Sequence, residues 1–215
     1  GAYLSKVQTI FKNETDIDSL ILLNGNYQFS DEFALTGFGY LDDKAGTSDT
    51  ATYGLTAAGA IEGFNYSLTG ALQNDYQDSA DRDAHMINAA VSTKVSDVKV
   101  GIGYSYISGG SSAGDRFNTL YGTAHAFNGW ADQFLVGTTS GTLDGGLQDY
   151  YMHAGTKIGK ATIAAFYHRF YTTDTRANGF NGLYGQELDA VIKYPICKHV
   201  NAMLKYAWYD EGDDG

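Results

Sequence analysis

Ionisable side chains recur in this chain at even spacing within short segments. Asp149, His153 and Lys157 share one parity in Leu147 to Ile158; Glu187, Asp189 and Lys193 share one in Gln186 to Pro195; Lys205 lies in Val200 to Tyr209. Successive side chains of a strand point to opposite faces, so residues of one parity share a face. Acids and lysines gathered on one face of neighbouring strands either pair with one another or set a transverse field across a water-filled space. A second group, Arg116, His125, Trp130 and Asp132, lies in a stretch without alternation. An indole offers a flat apolar surface on which a sugar ring stacks, and the three polar side chains supply hydrogen bonds to hydroxyls. The plainer role for His125 and Asp132 is to pin their own segment to a wall or to backbone.

Other chemistries fit less well. Ser105, Asp149, His153 and His168 are the residue types of a serine hydrolase, but no nucleophile–base spacing marks them, and the chain reads as a non-enzyme. His85, His168 and His199 are scattered without metal-ligand spacing. The run Gly109-Gly110-Ser111-Ser112 follows no phosphate-loop pattern and reads as a flexible loop start. The single Cys197 makes no intrachain disulfide and no zinc site. No cofactor is implied.

The elements that carry these residues alternate in polarity with a period of two. In Phe64 to Asn74, Phe64, Tyr66, Leu68, Gly70 and Leu72 take one face, and Asn65, Ser67, Thr69, Ala71 and Gln73 the other. Val98 to Ser108, Gln186 to Pro195 and Val200 to Tyr209 repeat the pattern. It is weaker in Ala2 to Lys12, Ser19 to Phe29, Phe33 to Leu41, Ala51 to Ile61, Ala84 to Val95, Leu147 to Ile158 and Ala161 to Tyr171. Thr56, Ala58 and Ala60, like Gly101 and Gly103, suggest an interior left open rather than filled. Connections alternate in length. Ser30-Asp31-Glu32, Glu62-Gly63, Ser96-Asp97, Gly159-Lys160 and Ile196-Cys197-Lys198 read as tight turns. Asn13 to Asp18, Asp42 to Thr50, Asp75 to Asp83, Gly109 to Gly146 and Thr172 to Gly185 read as long links. Short turns at one end and long loops at the other characterise a barrel crossing a bacterial outer membrane.

Composition agrees. The 215 residues include 27 Gly, 17 Tyr and 11 Phe against one Pro, which suits strands flanked by aromatic girdles. Mean hydropathy is -0.27, and no apolar run approaches the ~20 residues of a membrane helix. A membrane strand needs apolar residues only at alternate positions. The fold class expected is therefore all-β, an antiparallel up-and-down transmembrane β-barrel forming one domain over residues 1–215. Eleven strands is an odd number, whereas such barrels have an even one, so the expectation is an incomplete barrel lacking strands beyond Gly215 and perhaps before Gly1. No leader begins at Gly1, as for a chain whose signal peptide is removed or for an internal fragment. Net charge is -11, and most of the 25 acidic residues fall in the long links and the tail, leaving the strands mildly basic. That distribution disfavours a nucleic-acid partner and suits an outer surface beside lipopolysaccharide.

Residues 109–146 are too apolar to lie in water: Phe117, Leu120, Tyr121, Phe127, Trp130, Phe134 and Leu135 occur there. A link of this length is usually functional. Phe127, Trp130, Ala131 and Phe134 at helical spacing predict a short helix around Ala126 to Leu135, packed inside the barrel to narrow it or cap it. Arg116-Phe117-Asn118-Thr119-Leu120-Tyr121-Gly122-Thr123 through Trp130-Ala131-Asp132, followed by Gly146-Leu147-Gln148-Asp149, resembles the alginate-export family of outer-membrane proteins. The resemblance continues less distinctively through Ala164 to His168 and Tyr206 to Asp210. It implies a channel in the outer membrane of a Gram-negative bacterium, in contact with lipid and lipopolysaccharide and compatible with homo-oligomers. The positions in lumen phase are Lys6, Lys94, Lys99, Lys157, Lys193 and Lys205 against Asp149, Glu187 and Asp189. This small cationic excess favours small anions or neutral saccharides over an alginate track. The expected function is passive diffusion or export of small hydrophilic solutes or saccharides, the alternative a non-conducting barrel used as a structural or adhesion scaffold.

Overall fold

The computed structural model describes residues 1–9, 12–43, 49–77, 81–120, 128–134, 143–174 and 182–212. Eleven strands form one sheet in chain order: β1 (Ala2–Thr9), β2 (Lys12–Gln28), β3 (Ala34–Asp43), β4 (Thr50–Ile61), β5 (Phe64–Asn74), β6 (Asp83–Val95), β7 (Val98–Ile107), β8 (Leu147–Ile158), β9 (Ala161–Tyr171), β10 (Leu183–Cys197) and β11 (Val200–Glu211). Every neighbouring pair is antiparallel, and β1 and β11 are the two edges. From β2 onward, short turns lie at one end of the sheet and longer connections at the other. Glu62 (φ +49°) and Gly63 (φ +84°) occupy the left-handed region, as the central pair of a primed hairpin turn does.

Boundaries differ from the sequence reading at several places; β10, for example, begins at Leu183 rather than Gln186, inside the link expected at Thr172 to Gly185. The link expected at Asn13 to Asp18 is strand, because β2 begins at Lys12 and continues the hairpin with β1 through two register shifts. The last short turn falls at Lys198-His199, since Cys197 still pairs with Val200. An irregularity between Pro195 and Cys197 absorbs the shift, at a strand end where a residue without an N–H is tolerated.

The two faces of the sheet have opposite chemistry. Leu55, Leu68, Leu72, Ile87, Ile102, Met152, Leu188, Ile192, Leu204 and Tyr206 project from one face, with Leu204 69% and Leu72 60% exposed. Exposed apolar area on this scale is unfavourable in water and favourable against hydrocarbon, at about 25 cal/mol per Å². Tyr27, Phe29, Phe33, Phe64 and Tyr194 mark its short-turn end; Tyr150, Tyr206 and Trp208 mark the other. The opposite face carries Thr36, Thr56, Ser67, Thr69, Asn88 and Ser92, and also the described residues 117–120 and 128–134 of the long connection between β7 and β8. The side-chain oxygens of Thr56 and Thr69 lie 2.9 Å apart there. The expectation that Gly101 and Gly103 leave open space is corrected. A Cβ on Gly103 would strike the ring of Tyr151, and one on Gly101 the ring of His153, so aromatic groups from β8 fill those places. Gly54 receives Phe38 in the same way.

Candidate functional site: the inner wall and its folded-in strap

The connection between β7 and β8 lies against the inner face at two places. Near the first, Phe117 joins Ala71, Ala84 and Ile107 in the principal apolar cluster. Beside it, the amide of buried Gln73 on β5 meets the backbone of Asn118 reciprocally. Its Nε2 donates to the Asn118 carbonyl (2.9 Å) and to Thr52 Oγ1 (2.8 Å), and its Oε1 accepts the Asn118 N–H (2.7 Å). Residues 117–120 and the wall of β3 to β6 line an open hollow of about 250 Å³ edged by Phe38, Tyr40 and Met86.

At the second place residues 128–134 lie against β9, β10 and β11. Two alternate positions of β10, Glu187 and Asp189, face inward and are fully buried. Glu187 Oε1 accepts the N–H groups of Trp130 and of Ala131, the latter at 2.8 Å, and Asp189 Oδ2 accepts that of Trp130 at 3.2 Å. Cross-strand register sets His168 of β9 beside Glu187 and Tyr151. His168 Nδ1 lies 2.9 and 3.1 Å from the two oxygens of buried Asp149, and its Nε2 lies 3.9 Å from Asp189. Phe134 closes the segment, with ring centroids 4.5 Å from Phe170 and 5.4 Å from Tyr184.

The helix expected around Ala126 to Leu135 is absent from its described part. Residues 128–134 form bends and a turn, because Gly129 (φ +82°) and Asp132 (φ +61°) take left-handed conformations that an α-helix cannot continue through. Among the described residues a 3-10 turn, Ala113–Asp115, is instead present earlier in the connection, its N-terminus capped by the Ser112 hydroxyl.

The structure divides the site residues expected from sequence. Asp149, Glu187 and Asp189 come together, but their partners are an imidazole and backbone amides. Lys157 and Lys193 are exposed and lie toward the short-turn end of the same strands. Along these strands acid and base separate, the acids toward the long-connection end and the lysines toward the short turns. Lys205 Nζ sits 4.2 Å above the ring of Trp130, whose centroid is 5.3 Å from Phe166. One surface of the indole is thus taken by a cation, where sugar stacking was expected. His153 points inward against Phe166 with ring centroids 5.4 Å apart. Arg116 is a staple: Nε donates to the Gly110 carbonyl (2.8 Å), one terminal nitrogen to Asp144 (2.6 Å) and the other to the Ser111 carbonyl (3.3 Å). Its own carbonyl accepts from Arg82 at 2.7 Å; burial lowers the Arg82 pKa. Asp132 is exposed on the strap, and His125 falls outside the described residues. Sequence reasoning missed Gln73, Gly129 and the structural part of His168. Only the inward parity of Gln73 and His168 signalled them, and their partners follow from the register.

An open-edged antiparallel meander with an apolar outer face, a polar inner face and a folded-in connection has the architecture of outer-membrane porin barrels. The comparisons agree at the level of fold. The crystal structure of OccAB2 from Acinetobacter baumannii superposes with a TM-score of 0.65 at 18% identity, over 98% of this chain and 57% of that one. OccK7 (OpdD) from Pseudomonas aeruginosa gives 0.69 at 16% identity, over 98% and 58%. OpdK from Pseudomonas aeruginosa, crystallised with vanillate, gives 0.61 at 11% identity, over 93% and 54%. The chain spans little more than half the length of each of these structures. No protein-family model and no curated protein matches it, and the narrower alginate-export resemblance finds no support.

Proposed function

We propose that this chain forms part of the wall of an outer-membrane channel in a Gram-negative bacterium and passes small hydrophilic solutes by diffusion. The observation that carries the reading is the asymmetry of the sheet. The exposed face is apolar, whereas the opposite face is polar and holds a connection folded back upon it. The apolar face meets membrane lipid, and the long-connection end meets lipopolysaccharide. The strap at residues 128–134 narrows the path, and Trp130, Lys205 and the inward lysines meet the solute. Lys94, Lys99, Lys157 and Lys193 put positive charge at the short-turn end of the inner wall, which favours small anions. Since the OpdK structure holds vanillate, a small aromatic carboxylate of that kind is the first solute to test.

Planar-bilayer recording of the full-length protein tests the reading. Stepwise unitary currents, reduced by millimolar vanillate, are the expected result. A protein that inserts and shows heat-modifiable migration but passes no current would instead be a non-conducting scaffold.

A further inference from the structure

We propose that Glu187, seconded by Asp189, is a positioning residue that sets where the strap sits, and so sets the width of the path, rather than a charge that meets solute. This deepens the channel reading and rests on it. Both carboxylates are fully buried, so neither faces lumen water. Glu187 engages two consecutive backbone N–H groups, Trp130 and Ala131, and Asp189 also accepts from Trp130. Backbone amides aimed at one carboxylate bind it as a helix N-terminus binds an anion; here the anion belongs to the wall and the amides to the strap.

The fit is specific to glycine at the preceding position. Gly129 has φ +82°, and a Cβ there would lie 2.5 to 2.7 Å from the Glu187 carboxylate. Glu187 and Asp189 are buried side by side, and their two carboxyl groups interact directly with each other. A wall that keeps two such acids out of water keeps them for the amide contacts they make. The contact also fixes Trp130, whose indole lies under Lys205 and against Phe166. Glu187 therefore acts on solute through Trp130.

The test compares the full-length wild-type protein with Glu187→Ala, Glu187→Gln, Gly129→Ala and the Glu187→Ala/Gly129→Ala double variant. Each is recorded in planar bilayers and probed by hydrogen exchange over residues 128–134, with heat-modifiable migration as the control for folding. Glu187→Ala is expected to speed exchange of the Trp130 and Ala131 amides about 10- to 100-fold, to raise unitary conductance and to add flicker. Gly129→Ala should act in the same direction, and the double variant should add little to either single change. Glu187→Gln keeps an acceptor oxygen and should restore most of the protection.

Unchanged exchange in folded Glu187→Ala overturns the proposal whether or not the protein conducts. Altered exchange without a change in conductance overturns the link to path width. A Glu187→Gln variant whose ion selectivity shifts as far as that of Glu187→Ala, with normal exchange, would show a solute-facing charge and also overturn it. A silent wild type with faster exchange in Glu187→Ala would leave the anchoring role standing and remove the channel reading.

Discussion

Gln73 holds one part of the folded-in connection with a single amide group. Its three hydrogen bonds satisfy both backbone groups of Asn118 and the hydroxyl of Thr52 in a place from which water is excluded. Truncating it leaves buried donors and acceptors unmatched, which costs about 1–3 kcal/mol per group. Gln73→Ala is accordingly expected to release residues 117–120 while the strands stay intact. The check is limited proteolysis of folded protein: faster cleavage near Asn118 is expected, and an unchanged rate would mean that Phe117 alone anchors the segment. Gly103 poses the opposite problem, because an added methyl would meet the Tyr151 ring. Gly103→Ala should lower stability by about 1–3 kcal/mol, the usual cost of overpacking. Combining it with Tyr151→Ala should recover part of the loss in urea titrations; strictly additive losses would show that the ring does not occupy that space.

At the scale of elements, alternation works as a signal where a strand separates hydrocarbon from a polar interior. Phe64 to Asn74 lies in such a region, and its boundaries in the sequence and in the structure coincide. The signal weakens where apolar residues are few. Asn13 to Asp18 holds a single apolar residue, Ile17, too few to show alternation, so the sequence reads as a loop although the backbone is paired. The inner wall was legible only by parity. Which inward residues touch depends on register across three strands, and Asp149, His168 and Glu187 are separated by 19 positions each. The same face assignment makes a prediction on β5, where Leu68 faces outward and its neighbour Ser67 inward. Leu68→Arg should cost about 2–4 kcal/mol of stability in lipid, the penalty for a cation on the outer surface near mid-bilayer. Ser67→Arg, between the small residues Ala58 and Ala90, should cost far less. Urea unfolding in lipid vesicles, followed by heat-modifiable migration, separates the two; equal losses would mean that the faces are assigned wrongly.

For the whole molecule, the inner charges separate along the strands. Asp149, Glu187 and Asp189 lie toward the long-connection end, and Lys94, Lys99, Lys157 and Lys193 toward the short turns. The acids are buried and engaged by His168 and the strap, so they contribute less to the field in the water than their number suggests. The lysines are more exposed; Lys94, for example, has a partner in Asp97 at 3.5 Å, yet its side chain keeps 67% of its surface in solvent. If the chain forms the channel wall proposed above, a permeating ion would meet the lysines more directly than the acids, and the wall should select for anions despite a net charge of -11 on the chain. Replacing Lys99, Lys157 and Lys193 with Gln should move the reversal potential in a salt gradient toward that of a cation-preferring pore. The shift should shrink as ionic strength rises, because the Debye length falls from about 10 Å at 0.1 M to about 3 Å at 1 M. If the potential stays put at low salt, selectivity resides in the strap, and Lys205 over Trp130 becomes the cation to replace next.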